Sequence, residues 1–125
     1  MKRFALLCGA FFLATHLALA ADSREITSAE AKNLLLKNKQ IFLLDVRTPD
    51  EYRQARIKGA TLIPVDELRR RDGEVPKNRP VLVYCASGSR SRMAAVMLKK
   101  QGVRDVYNMS DGLVGWYRNG FPLDK

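Results

Sequence analysis

The chain alternates between short wholly apolar runs and amphipathic stretches, and this rhythm predicts its elements. Ile41 to Leu44 and Val81 to Tyr84 are continuous apolar runs with β-branched residues. Runs of that kind read as strands buried on both faces, as in a parallel sheet. Thr61-Leu62-Ile63, closed by Pro64, is a shorter strand, and Asp105-Val106-Tyr107-Asn108 a last one. Between them lie helical patterns. Thr27-Ser28-Ala29-Glu30 fits a capping box that opens a helix with Ala31, Leu34 and Leu35 on one face, stopping near Asn38. Thr48-Pro49-Asp50-Glu51 opens a second, short helix with proline at its first position. Asp66 to Arg71 is expected to form a basic helix, Asp72 to Pro80 an exposed loop, Arg92 to Lys100 a helix closed by Gly102, and Gly112 to Asn119 a short helix carrying Trp116, expected to be a packing residue. Strands alternating with helices imply an α/β domain with a mainly parallel sheet. No internal repeat or long linker divides it.

The first twenty residues are of another kind. Lys2 and Arg3 precede a mostly apolar stretch from Phe4 to Leu19, and Ala18-Leu19-Ala20 stands before Ala21. This is the pattern of a secretory signal peptide, residues 1–20, with the domain in 21–125. The competing reading, a retained membrane anchor, is disfavoured because the apolar stretch is short, is interrupted by Thr15 and His16, and ends in small residues. Bulky Leu7 before Cys8, with too short an apolar run ahead of it, argues against lipid attachment there. The expected mature protein is periplasmic, with no stable membrane association after cleavage.

Cleavage changes the chemistry available. Cys8 and His16 leave with the leader, so the mature chain holds one cysteine, Cys85, and no histidine. A Cys–His protease or transferase is then excluded within one chain, as are an intramolecular disulfide and a Cys/His zinc site. No metal or cofactor is expected. The net charge of +9 becomes +7 when Lys2 and Arg3 go, because 22 basic residues fall to 20 against 13 acidic ones. The positive residues are scattered, apart from Arg69-Arg70-Arg71, expected at a solvated helix end. An exported domain rarely meets nucleic acid, so no nucleic-acid partner is expected, although the field favours small anions.

Cys85 closes the apolar run Val81 to Tyr84 and is followed by Ala86-Ser87-Gly88-Ser89-Arg90-Ser91 and then a helix. A cysteine at a strand end beside a helix N-terminus meets unpaired backbone N–H groups and the positive end of the helix dipole. Gly88 permits a tight backbone that turns successive N–H groups inward, and Arg90 adds a permanent positive charge. All of this favours a thiolate, with a pKa below the free value of roughly 8.5. A buried structural cysteine is the plainer reading, but it has no need of this neighbourhood.

Cys85-x-x-Gly88-x-Arg90-Ser91 after a strand resembles the active-site loop of rhodanese-type sulfurtransferases. Leu44-Asp45-Val46-Arg47-Thr48-Pro49-Asp50-Glu51-Tyr52 with Ile57-Lys58-Gly59-Ala60, and Asp111-Gly112-Leu113-Val114-Gly115-Trp116, extend the resemblance from about Ile26 to Pro122. It implies a five-stranded sheet with helices on both faces. It also implies transfer of sulfane sulfur from thiosulfate or a related anionic donor, through a Cys85 persulfide, to a thiol, protein or cyanide acceptor. Ala86 to Ser91 would bind the persulfide through loop N–H groups. Ser87, Ser89 and Ser91 could add hydroxyl bonds, although capping is the plainer role for Ser91. Arg90 would either bind the donor or pin the loop, two roles weighted equally. Asp45 and Arg47 are expected to support the site as an ion pair.

The sequence departs from the family pattern at Arg56, where histidine is common, and at Asp111, where glycine is usual. These departures put donor preference in question and leave the cysteine loop untouched. A sulfur carrier without free turnover is the alternative function. A cysteine phosphatase is disfavoured, because those relatives in fold use Cys-x5-Arg to wrap a tetrahedral phosphate, and the spacing here is Cys-x4-Arg with no carboxylic acid in the loop.

Overall fold

A computed structural model describes residues 22–125. The leader expected over residues 1–20 lies outside them. β1 (Arg24–Ile26), β2 (Phe42–Asp45), β3 (Thr61–Leu62), β4 (Val81–Tyr84) and β5 (Val106–Met109) form one sheet in the order β1-β5-β4-β2-β3. Every neighbouring pair is parallel. α1 (Ser28–Lys37), α2 (Pro49–Gln54), α3 (Ser89–Lys100) and α4 (Gly112–Arg118) connect and cover them.

The central strand explains the two cores. All four side chains of β4 are buried, and successive ones point to opposite faces. Val81, Val83 and then Cys85 face Ala94, Ala95 and Leu98 of α3, with Ile63, Leu68 and Val75 beside them. Leu82 and Tyr84 face Ala31 of α1 and Leu113 and Trp116 of α4. Trp116 is a packing residue: its Nε1 donates to the Pro122 carbonyl at 2.8 Å, and its ring meets Phe121 edge-on.

Both capping boxes form. Thr27 and Glu30 close the start of α1, and Thr48 and Glu51 the start of α2. Two expectations fail. Asp66 to Arg71 is no helix: one 3-10 turn, Val65–Glu67, precedes further turns, with Leu68 as the buried anchor. Among those residues only Leu68 offers a core-facing apolar side chain, too little for an amphipathic face. The segment after it is not uniformly exposed, since Asp72–Glu74 form a second 3-10 turn and Val75 is buried. β1 is an element beyond those expected, a three-residue edge strand with one partly buried side chain.

Asp111 acquires a reason. Its carboxylate accepts from the Ser28 backbone N–H at 2.8 Å and from the Ser28 hydroxyl at 2.7 Å, while Asn119 Nδ2 donates to the same hydroxyl oxygen at 2.8 Å. An anion thus sits on the first N–H of α1 and ties that helix to both ends of α4. Asp111→Gly, which restores the usual family residue, should lower the unfolding free energy by about 1–2 kcal/mol, the worth of a lost helix cap. Urea titration followed by circular dichroism reads this; an unchanged midpoint would remove the role.

Candidate active site

The sheet order places the site. From β2 the chain moves outward to β3; from β4 it moves the opposite way, through α3, to β5. Adjacent strands whose connections diverge leave a crevice at their carboxyl ends. Cys85 follows β4 into that crevice, and Asp45 ends β2 beside it, paired in register with Tyr84.

The loop after Cys85 is shorter than the sequence implied. α3 begins at Ser89, three residues before the expected start, so only Ala86, Ser87 and Gly88 are loop, and Ser89, Arg90 and Ser91 form the first helical turn. Gly88 caps the helix in the left-handed region, φ +99°, and a Cβ there would lie 2.2 Å from the Ser110 carbonyl oxygen. No other residue fits without displacing β5's exit. Gly112, φ +60°, is held as tightly, with the Ala86 carbonyl oxygen 2.3 Å from its imagined Cβ. This contact brings α4 against the loop: the N–H groups of Leu113 and Val114 donate to the carbonyls of Cys85 (2.9 Å) and Ala86 (3.1 Å).

With those carbonyls drawn outward, donors converge on the sulfur. Gly88 N–H donates to Cys85 Sγ at 3.1 Å, and the Ser91 hydroxyl lies 3.3 Å from it. Burial pushes the thiol pKa up. The Ser91 hydroxyl and the N–H groups of Ser91, Ser87 and Gly88 more than reverse this, and the pKa is lowered on balance. Cys85 and Ser91 are fully buried, whereas Ser87 and Ser89 are exposed.

Arg90 is turned sideways. Its Nη1 and Nη2 fork onto Glu51 at 2.7 and 3.0 Å. The Glu51 oxygen Oε1 that meets Nη1 also accepts from the Thr48 N–H (3.2 Å) and hydroxyl (3.1 Å). The capping box of α2 is therefore also the anchor of α3's first turn. Glu51 was not among the expected site residues; its box was legible, but its partner 39 positions away was not. The bond from Arg90, with help from Thr48, overcomes the opposing effect of burial and lowers the Glu51 pKa to about 2.

Asp45 and Arg47 pair with each other. Arg47 Nη2 lies 2.6 Å from Asp45 Oδ2, its Nε 3.0 Å from Oδ1, and both residues are buried. Arg47 Nη2 also donates to the Ala55 carbonyl at 2.6 Å, closing the C-terminal end of α2. Tyr84 shares this side of the sheet, and its hydroxyl accepts from the Ile57 N–H at 3.2 Å. Burial, and then the neighbouring Asp45 charge, raise the Tyr84 pKa. Among the described residues no cluster of acidic, cysteine or histidine side chains could hold a metal ion.

Asn108 also belongs to the site. It is fully buried on β5, and its Nδ2 donates to the Gly88 carbonyl (3.3 Å) and to Glu25 on β1 (2.8 Å). The sequence carried one signal for it: two positions after core residue Val106, strand alternation turns a polar amide inward.

The Glu51 ionisation makes a pH prediction. A carboxyl pKa held at about 2, against 4.5 when unpaired, adds stability above pH 4.5 that is lost as pH falls through 2. Glu51→Gln should therefore be less stable than the parent at pH 6. The gap should close between pH 4.5 and 2, as read by urea midpoints across that range. A gap independent of pH would show that the charge on Glu51 is immaterial.

The comparisons agree with this geometry. The rhodanese-like domain profile matches residues 27–119. A sulfurtransferase of Allochromatium vinosum is 37% identical over 99 residues, spanning 79% of this chain and 92% of its own. A thiosulfate sulfurtransferase of Coxiella burnetii is 33% identical over 93 residues, spanning 74% and 86%. Among solved structures, the rhodanese-like domain protein from Staphylococcus aureus matches with a TM-score of 0.69 and 34% identity, covering 74% of this chain and 90% of that one. With a fully parallel five-stranded sheet, a cysteine at the end of its central strand and these relatives, the chain belongs to the rhodanese-like family.

Proposed function

We propose that the protein is a sulfurtransferase that takes sulfane sulfur from thiosulfate, or a related anionic donor, onto Cys85 and passes it to a thiol or to cyanide. The observation that carries this reading is the convergence of the Gly88 N–H and the Ser91 hydroxyl on one buried sulfur, which among the described residues has no hydrogen bond to an acidic or basic side chain. The Coxiella relative's activity, as its name gives it, supports thiosulfate as donor.

The Cys85 thiolate attacks the outer sulfur of thiosulfate. A new S–S bond forms, the donor's S–S bond breaks, and sulfite leaves with the electron pair. The resulting Cys85 persulfide carries its charge on the terminal sulfur, which the first-turn N–H groups of α3 stabilise as an oxyanion hole stabilises developing charge. A thiolate or cyanide then attacks that sulfur, the Cys85 S–S bond breaks, and the thiolate returns. No proton moves in either step when the acceptor is anionic, in keeping with the absence of histidine after residue 20. Approach is from the exposed side of the loop, over Ser87 and Ser89, because Cys85 itself is fully buried.

Treating the protein with thiosulfate should add one sulfur, about 32 Da, at Cys85 alone, removable by cyanide, because a single thiolate serves as nucleophile. Cys85→Ser should show neither adduct nor turnover, and aryl phosphates should not be hydrolysed. Intact mass spectrometry and thiocyanate release read these outcomes. An adduct without cyanide turnover would instead favour the carrier reading, and turnover by Cys85→Ser would sink the mechanism.

We further propose that residues 1–20 direct export to the periplasm and are removed before Ala21, on the strength of the basic start, apolar stretch and small-residue boundary. N-terminal sequencing of periplasmic material should begin at Ala21; Met1 retained in the membrane fraction would make the segment an anchor.

A further inference from the structure

Three donors lie within reach of the Gly88 carbonyl oxygen: Arg92 N–H at 3.1 Å, the Ser91 hydroxyl at 3.1 Å and Asn108 Nδ2 at 3.3 Å. A carbonyl oxygen has two lone pairs. The Arg92 bond is the first backbone bond of α3 and is fixed by the helix. The second lone pair is therefore contested between Ser91 and Asn108. Ser91 has one hydroxyl proton and two acceptors, since its oxygen is also 3.3 Å from Cys85 Sγ.

Asn108 shows signs of being held to this task. Both protons of its amide are engaged, one on Gly88 and one on Glu25 Oε2 at 2.8 Å. Its own Oδ1 is buried with no hydrogen-bond partner among the described residues. A flipped amide would set that oxygen against a carboxylate and a carbonyl, so the orientation is determined. A buried amide that leaves its oxygen unpaired is costly and asks for a reason.

We propose that Asn108 is a positioning residue that steers the Ser91 proton: by occupying the Gly88 carbonyl it leaves the Ser91 hydroxyl to donate to the Cys85 sulfur. Glu25 holds the amide in place from β1, and is itself braced by Arg92 Nε at 3.3 Å. Without the Asn108 donor, Ser91 turns to the Gly88 carbonyl, as serine in a first helical turn readily does. The thiolate then loses its one side-chain hydrogen bond. The other charges around the loop are Arg90 and Arg92 on α3, Glu25 on β1, Asp45 at the end of β2 and Glu51 on α2. Substitution at Asn108 removes none of these charges, and Glu25, which loses the amide, keeps its pairing with Arg92. The proposal rests on the sulfur-transfer reading only in taking Cys85 as an anion, and its test needs no sulfur donor.

The test is a double-mutant cycle on iodoacetamide alkylation of Cys85 as a function of pH. With Cys8 expected to leave with the leader, Cys85 is the one thiol of the chain from Ala21 onward. At pH 6, Ser91→Ala should slow alkylation about tenfold, the worth of one hydrogen bond to an anion. Asn108→Ser, too short to span the gap, should slow it similarly and move the pH midpoint upward. In the Ser91→Ala background the same Asn108 substitution should change nothing further, because the proton it steers is gone. Glu25→Ala, at a partly exposed edge, keeps the cycle available if the Asn108 variant does not fold, and should act in the same direction with a smaller effect. Equal slowing by Asn108→Ser or Glu25→Ala with and without the Ser91 hydroxyl would overturn the proposal and leave Asn108 a general loop support. No slowing in either background would overturn it as well. Loss of thiosulfate turnover with the alkylation pattern intact would count against the donor reading alone.

Discussion

A sulfur that is fully buried can hold a negative charge only if the protein supplies its solvation. Around Cys85 that solvation is made of Gly88, Ser87 and Ser91 backbone N–H groups and one hydroxyl. The requirement is severe, because a peptide N–H can be aimed at the sulfur only if its flanking carbonyls are aimed away and satisfied elsewhere. Much of the neighbouring structure serves that condition. α4 takes the carbonyls of Cys85 and Ala86, while α3 and β5 take that of Gly88.

The fastening comes from elements far apart in sequence. Arg90 is pinned by α2 through Glu51, and Asn108 reaches from β5 with Glu25 of β1 behind it. α2 is itself tied at its start by the Thr48 box and at its end by the buried Arg47–Asp45 pair. A pair buried in this way is a poor source of net stability, but removal of either member strands a charge and costs about 3–5 kcal/mol. Asp45 and Arg47 thus fix the end of α2, the helix whose Glu51 holds Arg90 beside the cysteine loop. The parallel sheet makes this economical, since every strand's carboxyl end lies on one edge.

What could be read from the sequence was what is local. The apolar runs of β2 and β4, the two capping boxes and the Gly88 constraint each declare themselves within a few residues. The start of α3 was misplaced because three consecutive polar residues, Ser89 to Ser91, look like loop. Their helical state comes from the left-handed Gly88 cap and the packing of Ala94 and Ala95. β1 was missed because Arg24 and Glu25 are exposed and an edge strand of three residues owes its form to β5. The direction of Arg90 was open for the same kind of reason: a guanidinium beside a cysteine loop can face the mouth or the flank, and the deciding carboxylate lies on another helix. Asp111 read as a departure from pattern and is explained only by Ser28, 83 positions away.

The Arg90–Glu51 fork constrains how the proposed anionic donor would be held. Two of the guanidinium's three nitrogens are committed to one carboxylate, whose charge offsets that of Arg90 at the mouth of the site. Thiosulfate could use the planar fork only by displacing Glu51, which also anchors α2, so a donor bound that way would loosen the turn that shapes the cradle. The remaining positive potential close to the sulfur is that of the α3 N-terminus, where free N–H groups and the helix dipole act together. Arg92 adds only a distant charge, already shared with Glu25 and well exposed to screening. Under the proposed function, donor recognition would then rest mainly on backbone N–H groups, which suit a small anion approaching end-on. In the proposed mechanism the same groups would receive the terminal sulfur after sulfite leaves, so one set of dipoles would serve both the incoming donor and the covalent product.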